Sequence, residues 1–276
     1  MSRSRYLAAI LVVMAVTFGE SAAPTASAAA STEVEVKLNL VAAALDSSGA
    51  PNADVRSAFG LGADSRELSY EFFDTDPLEL KGAGWSVRLR HKAGGKLDLN
   101  YKKRFPIDGG AVDAALAAAR QQGFGSPFEA QVDWTYDRLT LSMATNATES
   151  AKHYAGTTLP DEPEARTMLV GDMPGKLADW TAPDWGRNKL RAARGHGPVT
   201  AKEWKGNWQG VELGIEVVPV RDSSGAGTET VIELSFKTDG IDSAKRLRNQ
   251  AISTLQAKGL LAPVDILKTD LILSRY

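Results

Sequence analysis

Glu33, Glu35 and Lys37 stand two residues apart in the run Glu33-Val34-Glu35-Val36-Lys37-Leu38-Asn39-Leu40. Side chains of an extended chain leave alternate faces, so this spacing puts two carboxylates and an ammonium on one face, roughly 6.5–7 Å apart along the strand. Carboxylates held that close repel unless a cation lies between them, and hard divalent ions such as Mg2+ or Mn2+ prefer carboxylate oxygen. The same spacing recurs at Arg88 and Arg90 and at Lys102 and Arg104, giving two cationic pairs. Grouped guanidinium and ammonium groups require anions, and the Arg fork matches phosphate oxygens better than a single carboxylate does. Taken alone, each pattern is also what the wet face of an antiparallel sheet carries.

Composition removes several other chemistries. The chain has no Cys, which excludes a thiol nucleophile, a thiolate metal site and a disulfide framework. His91, His153 and His196 are scattered without metal-ligand spacing, and neither a Ser/His/Asp arrangement nor a phosphate-cradling Gly loop is present. With 32 Lys and Arg against 34 Asp and Glu, the formal charge is −2. No overall field would hold nucleic acid or an anionic membrane, so any anion site is local. The Trp side chains read as packing groups.

The elements that must position these residues are mostly strands. Beside Glu33–Leu40, strands are expected at Tyr70–Asp74, Trp85–His91 and Leu97–Phe105, the last two joined across Gly94-Gly95. Ala111–Gln122 reads as a helix closed by Gly123, and Glu129–Met143 returns to strand composition. A mixed, Pro-rich stretch over 145–198 reads as a helical and irregular insertion, with helix at Glu164–Val170 and Lys176–Trp180. A hairpin of Val211–Val220 and Thr230–Thr238 follows, then an amphipathic helix over Ser243–Lys258 and a last strand, Ile266–Leu273. Many antiparallel strands with few helices predict an α+β, predominantly antiparallel closed barrel, since closure removes exposed edges. At the N-terminus, basic residues, an apolar run over Tyr6–Gly19 and small residues around Ala26-Ser27-Ala28 form a secretory signal peptide, 1–28. A single domain over 29–276, secreted or extracytoplasmic and not membrane-bound after cleavage, is expected.

The order of the motifs resembles one family. Glu33-Val34-Glu35-Val36-Lys37 is similar to the Glu-x-Glu-x-Lys signature of the CYTH superfamily, the triphosphate tunnel metalloenzymes. Phe72-Phe73-Asp74-Thr75, leading into Arg88-Leu89-Arg90, and then Tyr101-Lys102-Lys103-Arg104 resemble its aromatic-Asp-Thr, Arg-x-Arg and basic strands. The resemblance implies an eight-stranded antiparallel tunnel that holds a triphosphate with Mg2+ or Mn2+. Carried over, it implies metal ligation by Glu33 and Glu35, joined by Glu216 and Glu233 on the later strands. Phosphate would be gripped by Arg88, Arg90, Lys102 and Arg104, with Arg138, Lys189 and Arg191 as further candidates, and Lys37 would lie beside the reacting phosphoryl group. Ser235 stands where many members carry another acid. The activity so implied is metal-dependent hydrolysis of a small or polymeric phosphate substrate; the alternative is a secreted, non-catalytic module that binds polyphosphate or another polyanion.

Overall fold

Charged and apolar residues alternate without a break in β1 (Glu33–Leu40), and every second side chain there is buried. The structure, a computed structural model, describes residues 32–276, so the expected signal peptide lies outside the described residues. After β1 come α1 (Ala53–Phe59), β2 (Leu61–Asp74), α2 (Glu79–Gly82), β3 (Trp85–Lys92) and β4 (Leu97–Pro106). Then follow α3 (Val112–Gln121), β5 (Glu129–Trp134), β6 (Leu139–Glu149), α4 (Glu162–Gly171), α5 (Gly175–Ala178) and α6 (Trp185–Arg191). The chain ends with β7 (Arg194–Trp208), β8 (Val211–Arg221), β9 (Thr228–Asp239), α7 (Ile241–Ala257), β10 (Leu261–Ala262) and α8 (Lys268–Arg275).

Nine strands close into a barrel in the order β1-β5-β6-β4-β3-β2-β7-β8-β9, with β9 returning to β1. All of these pairings are antiparallel except β1 with β5, and the short β10 extends the sheet beside the end of β1. The expected closed barrel is present, but with nine strands rather than eight and one parallel seam. Three local features account for the difference. A turn at Thr135 to Arg138, closed by the Thr135 N–H donating to the Arg138 carbonyl at 2.9 Å, splits Glu129–Met143 into two strands. The expected insertion ends in β7, whose Gly, Pro and charged residues hide its period. Finally, Ile266–Leu273 forms α8 rather than a strand, with Asp270 in its first turn and Arg275 in its last, the charge placement that suits a helix dipole.

Two apolar cores lie outside the barrel and one inside it. Val34, Val36 and Leu38 of β1 pack with Leu234 and Phe236 of β9 under Ala244, Leu247, Ala251 and Leu255 of α7. On the opposite wall, Val87 and Leu89 of β3 and Leu99 and Tyr101 of β4 pack under α3 to α6. The third core is internal: Leu68, Tyr70 and Phe72 of β2, Val199 of β7, Val218 and Val220 of β8 and Val231 of β9 surround Ile272 and Leu273 of α8. Each such buried side chain contributes about 1.5–3 kcal/mol, which fixes α8 as a stopper in one end of the lumen.

One acid sits on the wrong side of this arrangement. Glu71 is buried on the outer face of β2 against Gly195, where a side chain on residue 195 would run into its carboxylate. Burial, with the charge of Glu162 behind it, pushes the Glu71 carboxyl up to about 7. The folded protein therefore favours the neutral acid; this stabilisation is complete below the ordinary value near 4.5 and is lost as pH rises through about 7. Glu71→Gln is expected to raise the melting temperature at pH 8 by several degrees, corresponding to about 2–3 kcal/mol, and to change little at pH 4; thermal melts at the two pH values check this.

Candidate functional site

The inward-facing rows follow from strand register. Glu35 of β1 lies beside Asp133 of β5, Gln131 lies opposite Ser142 of β6, and Lys102 of β4 lies opposite Ala144. Continuing round the wall, Arg88 of β3 is opposite Asn100 of β4, Phe72 of β2 is opposite Arg88, and Glu216 of β8 is opposite Glu233 of β9. These inward-facing side chains line the lumen.

The first cluster is centred on Asp133. The Lys37 ammonium lies 2.8 Å from both Glu35 Oε2 and Asp133 Oδ1, and Lys102 Nζ lies 3.6 Å from the other Asp133 oxygen. Gln131 donates to Glu35 at 2.7 Å and to Asp133 at 2.8 Å, and Ser142 donates to Asp133 Oδ2. Burial works to raise the Asp133 carboxyl, but Lys37 and Lys102 more than reverse this and hold it well below the usual carboxylate range. Glu35 is lowered by the same balance, burial against Lys37. Lys37 itself is raised, because Asp133 and Glu35 outweigh its burial. Lys102 goes the other way: burial, together with Lys37 and Arg104, brings it down to about 8.

The second cluster joins β8, β9 and α8. Lys268 Nζ lies 3.0 Å from Glu216 and 2.9 Å from Glu233, and the Tyr70 hydroxyl donates to Glu216 at 2.9 Å. Between the clusters stands Arg88, whose buried Nε has no partner. Its guanidinium is brought down to about 10 by burial and by Arg90. Arg90 is engaged by Asp98, at 2.9 Å and 3.2 Å to one carboxylate oxygen, while Arg104 has a 3.4 Å hydrogen bond to Ser86.

Of the residues singled out in the sequence, Glu35, Lys37 and Lys102 meet in the first cluster and Glu216 and Glu233 in the second, with Arg88, Arg90 and Arg104 on the wall between. Glu33 lies at the first residue of β1, outside both clusters, paired with Lys237 at 2.6 Å. The remaining three are not brought into either cluster. Arg138 is exposed in the β5–β6 turn, 3.8 Å from Asp265; Lys189 lies on α6, 2.6 Å from Glu79; and Arg191 is exposed on the same helix. Asp133, Asp98, Tyr70 and Lys268 carry much of the geometry and were missed. Asp133 had a readable signal, since Glu129, Gln131 and Asp133 repeat the two-residue spacing of β1.

A divalent cation does not fit these carboxylates as they stand. Among the described residues no three His, Cys, Asp or Glu side chains converge on one point. Instead, each close pair of acids holds a lysine ammonium between them, Lys37 in one case and Lys268 in the other. Removing the shared acid leaves buried ammonium groups without a counter-charge, so Asp133→Asn is expected to cost about 3–5 kcal/mol. Ser142→Ala, which removes one neutral donor, is expected to cost about 1 kcal/mol. Denaturant unfolding of both variants at pH 7 tests the difference.

No protein-family model matches the sequence, and no curated protein matches it. Solved structures do. HpAC1 from Hippeastrum, an adenylyl cyclase candidate described as revealing a dominant triphosphatase activity, matches with a TM-score of 0.54 at 15% identity, covering 88% of this chain and 96% of that one. An adenylate cyclase candidate from Bacillus halodurans gives 0.49 at 14% identity (87% and 97% covered), and a protein from Pyrococcus horikoshii gives 0.46 at 14% (88% and 98%). The chain shares the closed-barrel fold of the Hippeastrum protein, as the resemblance of its Glu-x-Glu-x-Lys and Arg-x-Arg strands led one to expect.

Proposed function

We propose that this tunnel binds the phosphate groups of a triphosphate or polyphosphate. The carrying observation is Arg88, buried on β3 with an unpartnered Nε and accompanied by Arg90 on the same strand and Lys102 and Arg104 on the adjoining β4. Buried cations are costly unless matched, and the acids within reach are already engaged: Glu216 by Lys268 and Tyr70, Asp98 by Arg90, and Asp133 by Lys37 and Lys102. An anion with several oxygens at phosphate spacing supplies what this wall lacks, and guanidinium groups bind it through paired hydrogen bonds. The basic, then apolar N-terminal run supports action outside the cytoplasm.

Hydrolysis is the second reading. It is favoured by the Glu35 and Lys37 pair in the lumen and by the dominant triphosphatase activity of the Hippeastrum protein of the same fold. It would move a terminal phosphoryl group to water, with position and compensating charge as the protein's contribution and no covalent nucleophile. Purified protein given inorganic triphosphate, ATP or polyphosphate, with Mg2+, with Mn2+ and with chelator, separates the readings. Binding that persists in chelator without phosphate release supports capture; metal-dependent release establishes the hydrolase; neither binding nor release overturns both.

Two expectations follow from the wall itself. Arg88→Ala is expected to weaken triphosphate binding about 10- to 100-fold by calorimetry, the loss of one charged hydrogen-bonding group. Because Lys102 loses its proton near pH 8, affinity is expected to fall between pH 7 and pH 9. Lys102→Arg, which stays charged, is expected to flatten that fall.

A further inference from the structure

We propose that Lys268 is a built-in cation that fixes the cation preference of the lumen: it holds the Glu216 and Glu233 carboxylates so that no divalent ion is taken up between them. The two acids are directly opposite each other on β8 and β9, both facing inward. Like charges so placed destabilise a sheet unless something positive lies between them. That something is the ammonium of α8, 3.0 Å from Glu216 and 2.9 Å from Glu233, while Tyr70 occupies the other Glu216 oxygen at 2.9 Å. Burial disfavours a charged Lys268, but the two carboxylates outweigh it and raise the ammonium well above its usual value, so it stays charged at any ordinary pH.

The helix that carries Lys268 is anchored along its length. Ile272 and Leu273 are buried in the lumen core. Asp270 pairs with Lys81 of α2 at 3.0 Å, Arg275 pairs with Glu229 of β9 and donates to the Arg221 carbonyl at 2.7 Å, and the Tyr276 hydroxyl accepts from the Arg221 N–H at 2.9 Å. A tethered ammonium competes as an intramolecular ligand, at an effective concentration no free ion in the millimolar range matches without further ligands. Those further ligands are missing, since the next inward residue along β9 after Glu233 is Ser235, and its neighbour Lys37 on β1 adds positive charge beside it. A Mg2+ or Mn2+ ion taking these two carboxylates would have to eject Lys268, leaving an uncompensated ammonium in the barrel.

The inference concerns the cation of this lumen and not which anion enters it, so its test is metal uptake rather than phosphate binding. Mn2+ is titrated into the chain, its Glu233→Gln variant, Lys268→Gln, and Lys268→Gln with Glu233→Gln, with free Mn2+ followed by electron paramagnetic resonance. Glu233→Gln alone is expected to leave Mn2+ uptake unchanged within twofold. Lys268→Gln is expected to gain one site at least tenfold tighter than any in the unaltered chain, lost again in the double variant. If Lys268→Gln melts early because its acids repel, the same gain appears as a Mn2+-dependent rise in melting temperature that the unaltered chain lacks. A Mn2+ site in the unaltered chain that Glu233→Gln weakens tenfold, or no gain by either readout in Lys268→Gln, overturns the proposal.

Discussion

A closed barrel leaves its inner residues no free face of water to point into, so every charge placed inside must be answered from inside or by what enters. Asp133 is the residue on which this accounting turns. It is the shared counter-charge of Lys37 and Lys102, and it carries hydrogen bonds from Gln131 and Ser142. Three neighbouring strands, β5, β1 and β6, are tied at one level by its carboxylate, with Lys102 of β4 beyond them. The parallel seam has a role here. Pairing β1 with β5 in the same direction puts Glu35 beside Asp133, and the Lys37 ammonium then spans both.

The outer cores make this interior affordable. Apolar burial drives the strands to close, and because the side-chain period is two, each strand that buries an apolar row outside presents the other row inside. Val34, Val36 and Leu38 under α7 therefore dictate where Glu35 and Lys37 point. The lumen is not uniformly polar, however. Its β2, β7, β8 wall changes character along the barrel, from Glu203 and Glu216 to Val218 and Val220, and α8 seats on the apolar part. The barrel interior is therefore part apolar and part charged, with Lys268 and Glu33 toward opposite ends.

This division explains what was legible in the sequence. β1, β3 and β4 have one buried face outside and one charged face inside, so their alternation is clean and their bounds read within a residue of those observed. β7 was hidden because its segment between Arg194 and Trp208 mixes glycine, proline and lysine, and its inner row passes from Val199 and Ala201 to Glu203. α8 was read as a strand because Ile266, Leu267, Leu271, Ile272 and Leu273 are β-prone and apolar. The closed barrel leaves only the far end of β1 as an edge, which β10 takes, and a helix that satisfies its own backbone fits the lumen instead. Lys189 and Arg191 were candidates by charge alone; on the short helix α6, their places follow from its packing outside the barrel. Tertiary placement of that kind is not written in local spacing.

The cation balance of the lumen then has a direction. Its two close acid pairs are already closed circuits, each with a lysine between them, which leaves those acids nothing to offer a cation and leaves the β3 and β4 wall with more positive charge than Asp98 and Asp133 neutralise. From the first residue of β1 inward, the lumen passes from the paired Glu33 and Lys237 to the unpartnered Nε of Arg88. Such a gradient, balanced at that end and positive within, draws an anion inward without holding it there. On the proposed reading, a chain of phosphates answers that excess of positive charge along β3 and β4.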